Sequence, residues 1–245
     1  MEIELANCII HPIELFEMNS DKSSFTYRLN VAQRVMLPGY IWYIEGGGER
    51  ILVDAGGDVE YMWNIRAIPA RDIETVESGL GKLGISPDDI DLVILTHLHQ
   101  DHVGQAFRFH KARFVIQRNE LDFARDPHPS VAASYNKRFF KGLNFEVVNG
   151  DTKISEGISV ISTPGHSMGG QSVCVETAQG TAIISGICSI RDNFEPPPPV
   201  TLPVIAPGVH TNVLEAYDSL LKIKEMADIV VPSHDPAFKN VRSIP

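Results

Sequence analysis

Three histidines and an aspartate lie within six consecutive positions of the chain, in the segment THLHQDH (96–102). His97 and His99 are two residues apart, so in extended backbone their side chains point the same way. Asp101 and His102 follow, where a turn can bring them back to the same point. Because neutral imidazole and carboxylate are the usual ligands of a catalytic zinc or iron ion, this segment predicts a metal site.

Two further histidines occur in the same local context. His166 follows a predicted strand (158–163) and a Pro-Gly turn, and His234 follows the apolar segment DIVVP (228–232). A strand that ends in a histidine-bearing loop, three times over, is what a metal site at one edge of a sheet requires. We therefore expect both residues to converge with the first cluster.

The elements that must position these residues are mostly short strands. The turn-flanked apolar segments predict strands at 40–44, 51–53, 92–95, 113–117, 145–148, 158–163, 172–176 and 181–185, with a last strand that ends at His234. Helices are predicted over 72–83 and from a cap at Thr211 or Asn212 to about Met226, with a helical turn at 119–124. The proline-rich stretch 195–208 is expected to be a loop. Strand-rich stretches in both halves, flanked by helices, predict two sheets with helices outside.

Composition and charge limit the possible partners. The chain has 245 residues, 43% of them hydrophobic and 21% charged, which indicates a globular protein. A formal net charge of −10 argues against nucleic acid or an anionic membrane surface as a partner. No apolar run approaches the roughly 20 residues of a membrane helix. The N-terminus lacks the pattern of a signal peptide, so a cytoplasmic location is expected. Cys8, Cys174 and Cys188 do not suggest a disulfide framework.

The order of the motifs carries a family resemblance. THLHQDH, TPGHSMGGQS (163–172) and VPSHDP (231–236), after ILVDAGG (51–57), closely resemble the metallo-β-lactamase superfamily from about Tyr40 to Asp235. The resemblance implies an α/β fold, an αβ/βα four-layer sandwich of two mixed β-sheets with helices on the outer faces, in one domain over 1–245. It implies two divalent metal ions, zinc before iron or manganese. The implied ligands of the first ion are His97, His99 and His166, and those of the second are Asp101, His102 and His234.

Within the superfamily, TPGHSMGGQS and the NFE of 193–195 look most like the N-acyl-homoserine lactonases. The resemblance implies a hydrolase that uses a metal-bound hydroxide to open a small-molecule ester or lactone. Asp101 would hold the second ion and carry a proton to the leaving group. Asp54 would orient the histidine-rich loop by hydrogen bonds. The oligomeric state stays open, a homodimer included.

Two departures from the lactonase pattern keep other activities open. Dinuclear members usually carry a bridging aspartate after the strand that follows the PGH segment, but TAIISGICSIRDNFE (181–195) has only Asp192, several residues too late. Cys188 stands in or near that slot, so we predict it as a ligand of the second metal, with a small buried hydrophobe as the alternative. The lactonases also place a tyrosine shortly after the aspartate, and here only Ser189 or Arg191 could replace it.

The alternatives to a lactonase are a mononuclear iron dioxygenase acting on a persulfide and a thioesterase of the glyoxalase II kind. The missing bridging carboxylate favours the dioxygenase, whereas the retention of His102 and His234 opposes it.

Overall fold

The computed structural model describes residues 7–245 and contains two β-sheets. The strands are β1 (Ile9–Asp21), β2 (Arg34–Glu45), β3 (Ile51–Val53), β4 (Ala70–Asp72), β5 (Leu92–Ile94), β6 (Arg113–Gln117), β7 (Phe145–Val148), β8 (Thr152–Ser155), β9 (Ile158–Ser162), β10 (Gln171–Thr177), β11 (Gly180–Ile184) and β12 (Ile229–Val231). The first sheet has the order β4-β1-β2-β3-β5-β6-β7 and the second β12-β11-β10-β9-β8. Both contain parallel and antiparallel pairs, as the sequence predicted for mixed sheets.

Six α-helices accompany the strands in the described residues. They are α1 (Val59–Asn64), α2 (Val76–Gly81), α3 (Gln100–Val103), α4 (Arg118–Arg125), α5 (Arg191–Phe194) and α6 (Val213–Met226). Short 3-10 helices occupy Lys22–Ser24, Pro87–Asp89, Ala106–Arg108, Ala132–Ser134, Lys137–Phe139 and Pro236–Phe238. No helix in residues 7–245 is long and apolar enough to cross a membrane.

The central strands are buried on both faces, and this produces the four layers. In β5, Leu92 and Ile94 join a cluster between the two sheets, whereas Val93 faces the helices of the first sheet. In β11, Ile184 faces the same inter-sheet cluster and Ile183 packs toward α6. Since successive side chains of a strand point to opposite faces, a continuous apolar run covers two cores at once. The predicted sandwich with outer helices is confirmed.

The helix predicted over 72–83 is wrong at its beginning. Asp72 belongs to β4 and pairs with Phe16 of β1, so the helix cannot begin there. The side chain of Thr75 accepts a hydrogen bond from the backbone N–H of Ser78 and caps the helix, which runs only over Val76–Gly81. In contrast, Asn212 caps α6 at the predicted position.

The N-terminal segment forms a long strand that was not predicted. β1 pairs with β2 along 12 residue pairs, although Pro12 lacks a backbone donor. On the side of β1 away from β2, only Phe16 to Met18 pair with β4. Pro12 lies outside this paired stretch, so its missing N–H costs no hydrogen bond to β4. This strand borders the candidate site through its second half.

Candidate metal centre

The histidine-bearing loops meet at one edge of the sandwich. The segment after β5 carries His97 and His99, and the loop after β9 carries His166. His234 follows β12, which runs parallel to β11. The first sheet and the second sheet therefore both contribute to the same point.

The first cluster consists of His97, His99 and His166, all buried. One ring nitrogen of each lies within 4.8 Å of the others, and the Nε2 atoms of His97 and His166 are 3.2 Å apart. Three imidazole nitrogens around one point are the donor set of a tetrahedral or five-coordinate zinc-type ion.

The second cluster consists of Asp101, His102 and His234. The Oδ2 atom of Asp101 lies 3.5 Å from Nε2 of His102 and 3.9 Å from Nε2 of His234. The two clusters adjoin each other, because the ring centroids of His97 and His102 are 4.1 Å apart. The six residues predicted from the sequence are thus brought together, as two adjacent groups of three.

Hydrogen bonds at Nδ1 orient the imidazoles toward the clusters. Nδ1 of His166 lies 2.7 Å from the carbonyl oxygen of Val209, and Nδ1 of His234 lies 2.9 Å from that of Pro38. A carbonyl oxygen only accepts, so Nδ1 carries the proton and the Nε2 lone pair faces the cluster.

Two buried ring nitrogens lack any hydrogen-bond partner within residues 7–245: Nε2 of His102 and Nε2 of His234. An unpaired buried polar atom is costly, and two of them beside the Asp101 carboxylate are the donor set that a cation satisfies. The residues present therefore fit a metal ion.

The protonation states of the first cluster and of His234 suit metal binding. Burial lowers the pKa of His97 and His99 well below the usual 6.5, and the neighbouring histidines lower it further. Burial likewise lowers the pKa of His166 to about 4 and that of His234 to about 4. These imidazoles are neutral at neutral pH, so their lone pairs are available to a cation.

The second cluster contains two groups whose pKa values move in opposite directions. Burial acts to raise the pKa of Asp101, but the neighbouring imidazoles of His102 and His234 lower it to about 2. Burial acts to lower the pKa of His102, whereas the carboxylates of Asp54 and Asp101 raise it to about 9. A cation bound here would displace the proton of His102, so binding at this cluster releases a proton.

Asp54 orients the histidine-rich segment 96–102 by hydrogen bonds, as predicted. Its Oδ2 lies 2.7 Å from Nδ1 of His102, and its Oδ1 accepts a hydrogen bond of 2.8 Å from the backbone N–H of Thr96. Asp54 is buried and has a positive φ of 60°, which is uncommon for a residue other than glycine. The turn after β3 thus holds an unusual backbone conformation that presents this carboxylate to the cluster.

Glu120 is a buried carboxylate that the sequence interpretation missed. Its Oε1 accepts a hydrogen bond from the backbone N–H of Leu98, at 3.0 Å, and its Oε2 accepts one from that of Gly169, at 2.9 Å. Leu98 lies between two ligand candidates and Gly169 lies in the loop of His166, so one side chain of α4 connects two loops of the first cluster. The only sequence signal was a glutamate among apolar positions of a short helix.

A cavity of about 220 Å³ opens onto the clusters and includes His99, Asp101 and His166 in its lining. A larger cavity of about 650 Å³ lies elsewhere, beside His11 and Lys239, and touches none of the six residues. The smaller cavity is the candidate substrate site because residues of both metal clusters line it.

The segment that follows β11 enters the site without a carboxylate. Cys188 is buried and lines the 220 Å³ cavity, and burial, with the nearby Asp101, raises the pKa of its thiol well above 9.0. Within residues 7–245 it belongs to neither group of three, so its role as a ligand stays a prediction.

A side-chain carbon at Gly186 would lie 1.8 Å from the carbonyl oxygen of Gln171, so a larger residue there requires the backbone to move.

Neither residue considered as a replacement for the tyrosine lines the cavity. The hydroxyl of Ser189 is buried and donates to Oγ of Ser185 at 3.1 Å. Arg191 pairs with Glu195, its Nη2 2.6 Å from Oε2, in an exposed position.

Comparison with known proteins agrees with this geometry. The family model of the metallo-beta-lactamase superfamily matches residues 34–234. The chain belongs to this superfamily. Its relatives include an N-acyl homoserine lactonase of Bacillus cereus, 28% identical over 193 residues that cover 71% of this chain and 74% of the relative. The N-acyl homoserine lactonase AttM of Rhizobium radiobacter is 26% identical over 228 residues, covering 85% of this chain and 82% of the relative.

Solved structures of lactonases share the fold of this metallo-β-lactamase-type chain. The F107W mutant of AiiA from B. thuringiensis, with N-decanoyl-L-homoserine bound at its active site, superposes with a TM-score of 0.79 at 25% identity, covering 95% of each chain. An N-acyl homoserine lactone hydrolase with the product N-hexanoyl-L-homoserine at its catalytic metal centre gives a TM-score of 0.77 at 25% identity, again covering 95% of each chain.

Proposed function

We propose that the chain is a metal-dependent hydrolase that opens the ring of a small lactone. The observation that carries the proposal is the pair of adjacent three-residue clusters, whose buried Nε2 atoms on His102 and His234 lack partners. The similarity to N-acyl homoserine lactonases, at 26–28% identity, supports a lactone as the substrate.

The protein would hold two divalent ions, with zinc as the proposed metal because imidazole and carboxylate donors suit it. The residues that would hold the first ion are His97, His99 and His166, and those for the second are Asp101, His102 and His234. Bound divalent ions lower the pKa of water toward about 7 and polarise a carbonyl group.

The protein's own residues fix the geometry of this reaction. Asp54 holds the ring of His102, and Glu120 joins the loops on either side of the first cluster. Asp101 lines the cavity, and there it would carry a proton to the leaving group. A pKa of about 2 keeps Asp101 ionised at neutral pH, which suits a ligand better than a proton donor, so its catalytic role stays a prediction.

The remaining sequence-based expectations support the same proposal. We propose one domain over 1–245, since the family model spans 34–234 and the superposed lactonases cover 95% of the chain. The substrate would be a small molecule, because the cavity of about 220 Å³ lies below the roughly 300–1,000 Å³ of most ligand sites. The cytoplasmic location stays a prediction.

The test is metal content together with turnover. Purified protein is analysed for metals and assayed for acid release from N-hexanoyl-homoserine lactone, with a thioester and a persulfide as competing substrates. We expect two zinc ions per chain and lactone opening. His166→Gln should lose metal and at least about 100-fold in rate, since a missing ligand empties the site. The control is His128→Gln, because His128 bonds only to nearby Ser130 at an exposed position.

Other outcomes would identify the rivals. One iron per chain with oxygen uptake on the persulfide would replace the proposal with the dioxygenase, which the absence of a carboxylate in 185–190 favours. Faster hydrolysis of the thioester than of the lactone would replace it with the thioesterase.

A further inference from the structure

The cavity beside the metal clusters contains two arginines, Arg34 and Arg66. Arg34 is exposed and Arg66 is partly buried. A guanidinium is permanently charged, so a substrate that covers it without offering an anionic partner incurs a desolvation cost. The chain as a whole carries a formal charge of −10, so the positive charge here is local.

Arg66 has most of its hydrogen-bonding capacity free. Its Nη1 donates to Oγ of Ser134 at 2.7 Å, and Ser134 itself is buried in the wall of the cavity. Within residues 7–245, no carboxylate oxygen lies within 4.0 Å of the Arg66 guanidinium, whereas most other arginines of the chain have such a partner.

The two carboxylates in the cavity wall are already engaged. Oδ1 of Asp21 accepts hydrogen bonds from the backbone and hydroxyl of Ser23, and Oδ2 accepts one from the backbone N–H of Ala32. Asp101 lies against His102 and His234. Neither carboxylate is therefore the partner of Arg66.

Arg34 also lines the cavity, and Asn19 holds its side chain in place. Its Nε donates to Oδ1 of Asn19 at 2.9 Å, and its Nη2 donates to the backbone carbonyl of the same residue. Apolar side chains of Phe25, Ile68 and Val209 also line this cavity. The cavity wall thus combines metal-ligand candidates, apolar side chains and two cationic groups.

We propose that the natural substrate is a lactone whose acyl side ends in a carboxylate, and that Arg66, assisted by Arg34, binds this carboxylate. The inference rests on the proposed lactone hydrolysis. It follows from the free donors of Arg66, from the absence of a carboxylate oxygen within 4.0 Å of its guanidinium in residues 7–245, and from the apolar side chains in the same cavity wall. A planar guanidinium matches a carboxylate with two parallel hydrogen bonds, so it both orients and selects such a substrate.

The test compares two substrates that differ only at the end of the chain: N-hexanoyl-homoserine lactone and N-adipoyl-homoserine lactone, which carries a terminal carboxylate. We expect the metal-loaded protein to favour the adipoyl compound in kcat/KM by about 10-fold or more, mainly through KM, as expected for one charge-assisted hydrogen-bonded pair. Arg66→Gln should reduce this preference about 10-fold, and Arg66→Lys should restore part of it.

The control is Arg125→Gln, which removes one positive charge from an exposed position on α4, where Arg125 pairs with Asp122. This variant should keep the wild-type preference. Equal kcat/KM for the two lactones in the wild type, or a preference that Arg66→Gln and Arg125→Gln change equally, would overturn the inference.

Binding separates this inference from the proposed function. The ring-opened products N-adipoyl-homoserine and N-hexanoyl-homoserine are titrated calorimetrically into the metal-loaded protein. A tighter Kd for the adipoyl compound that depends on Arg66, with neither lactone opened, would keep Arg66 as a carboxylate-binding residue and refute the lactonase. Equal Kd values would refute the inference even if both lactones are opened.

Discussion

Glu120→Gln tests whether one buried carboxylate sets the geometry of the first metal cluster. Glu120 is fully buried and its two oxygens accept hydrogen bonds from the backbone N–H groups of Leu98 and Gly169. Glutamine has the same shape but offers only one acceptor. Its NH₂ group would face one of the two N–H groups, so one hydrogen bond becomes a contact between donors.

The size of the effect follows from these two bonds. A hydrogen bond to a charged acceptor contributes about 1.5–3 kcal/mol, and the exchange to glutamine also removes a buried charge, so we expect a net loss of about 2 kcal/mol in the free energy of unfolding. Burial raises the pKa of Glu120, although the backbone N–H groups of Leu98 and Gly169 and the hydroxyls of Ser167 and Tyr135 act to lower it. Because the loops of Leu98 and Gly169 carry the first cluster, metal affinity there should fall about 10-fold.

The assay combines urea unfolding of metal-free protein with competitive zinc titration. Glu225→Gln is the matched control, because Glu225 is exposed on α6, which does not carry a cluster residue. If Glu120→Gln loses stability but binds zinc with unchanged affinity, Glu120 is a packing residue only. If neither quantity differs from the control, the reasoning about the two loops is refuted.

Three further substitutions have defined expected outcomes. Asp54→Asn should weaken metal binding at the second cluster about 10-fold or more, because it removes the charge that orients His102, and an unchanged titration would contradict this. Cys188→Ser should lower second-metal occupancy in elemental analysis and leave the first site nearly full; an unchanged content would make the residue a packing group. Glu17, whose pKa is lowered from 4.5 by its hydrogen bond to Lys239, adds stability above its unfolded-state pKa that is lost as the pH falls through the lower, folded-state value. Glu17→Gln should therefore flatten the rise of Tm between pH 3 and pH 6, and a rise like that of wild type would contradict the assignment.

The ligand candidates were readable from the sequence because each follows a strand. Side chains such as His166 and His234 lie at the ends of apolar, β-branched runs, and strands of like direction deliver their ends to the same edge. Local pattern therefore predicted both the sheets and the edge where the site lies. The role of Asp54 came instead from the resemblance of ILVDAGG (51–57) to the metallo-β-lactamase superfamily.

The rest depends on contacts between distant segments. Glu120 interacts with residues 22 and 49 positions away, and no local pattern specifies such partners. The strand β1 was missed because Pro12 weakens the local signal, and its stability comes from pairing with β2 rather than from propensity. The unpaired state of Arg66 could not be predicted for a similar reason, because only the folded structure shows whether a carboxylate lies close to an arginine.

The site draws its ligands from both halves of the sandwich. His97 and His99 leave the first sheet, and His166 and His234 leave the second, with the inter-sheet core behind them. An ion held by the first cluster would therefore fasten the two sheets to each other at their open edge. Separating the sheets would then require release of the ion, so free metal at 100 times its Kd would add about 2.7 kcal/mol to the cooperative unfolding of the whole sandwich. The metal site would therefore also stabilise the contact between the two sheets, and the free energy of unfolding would rise with the concentration of free metal.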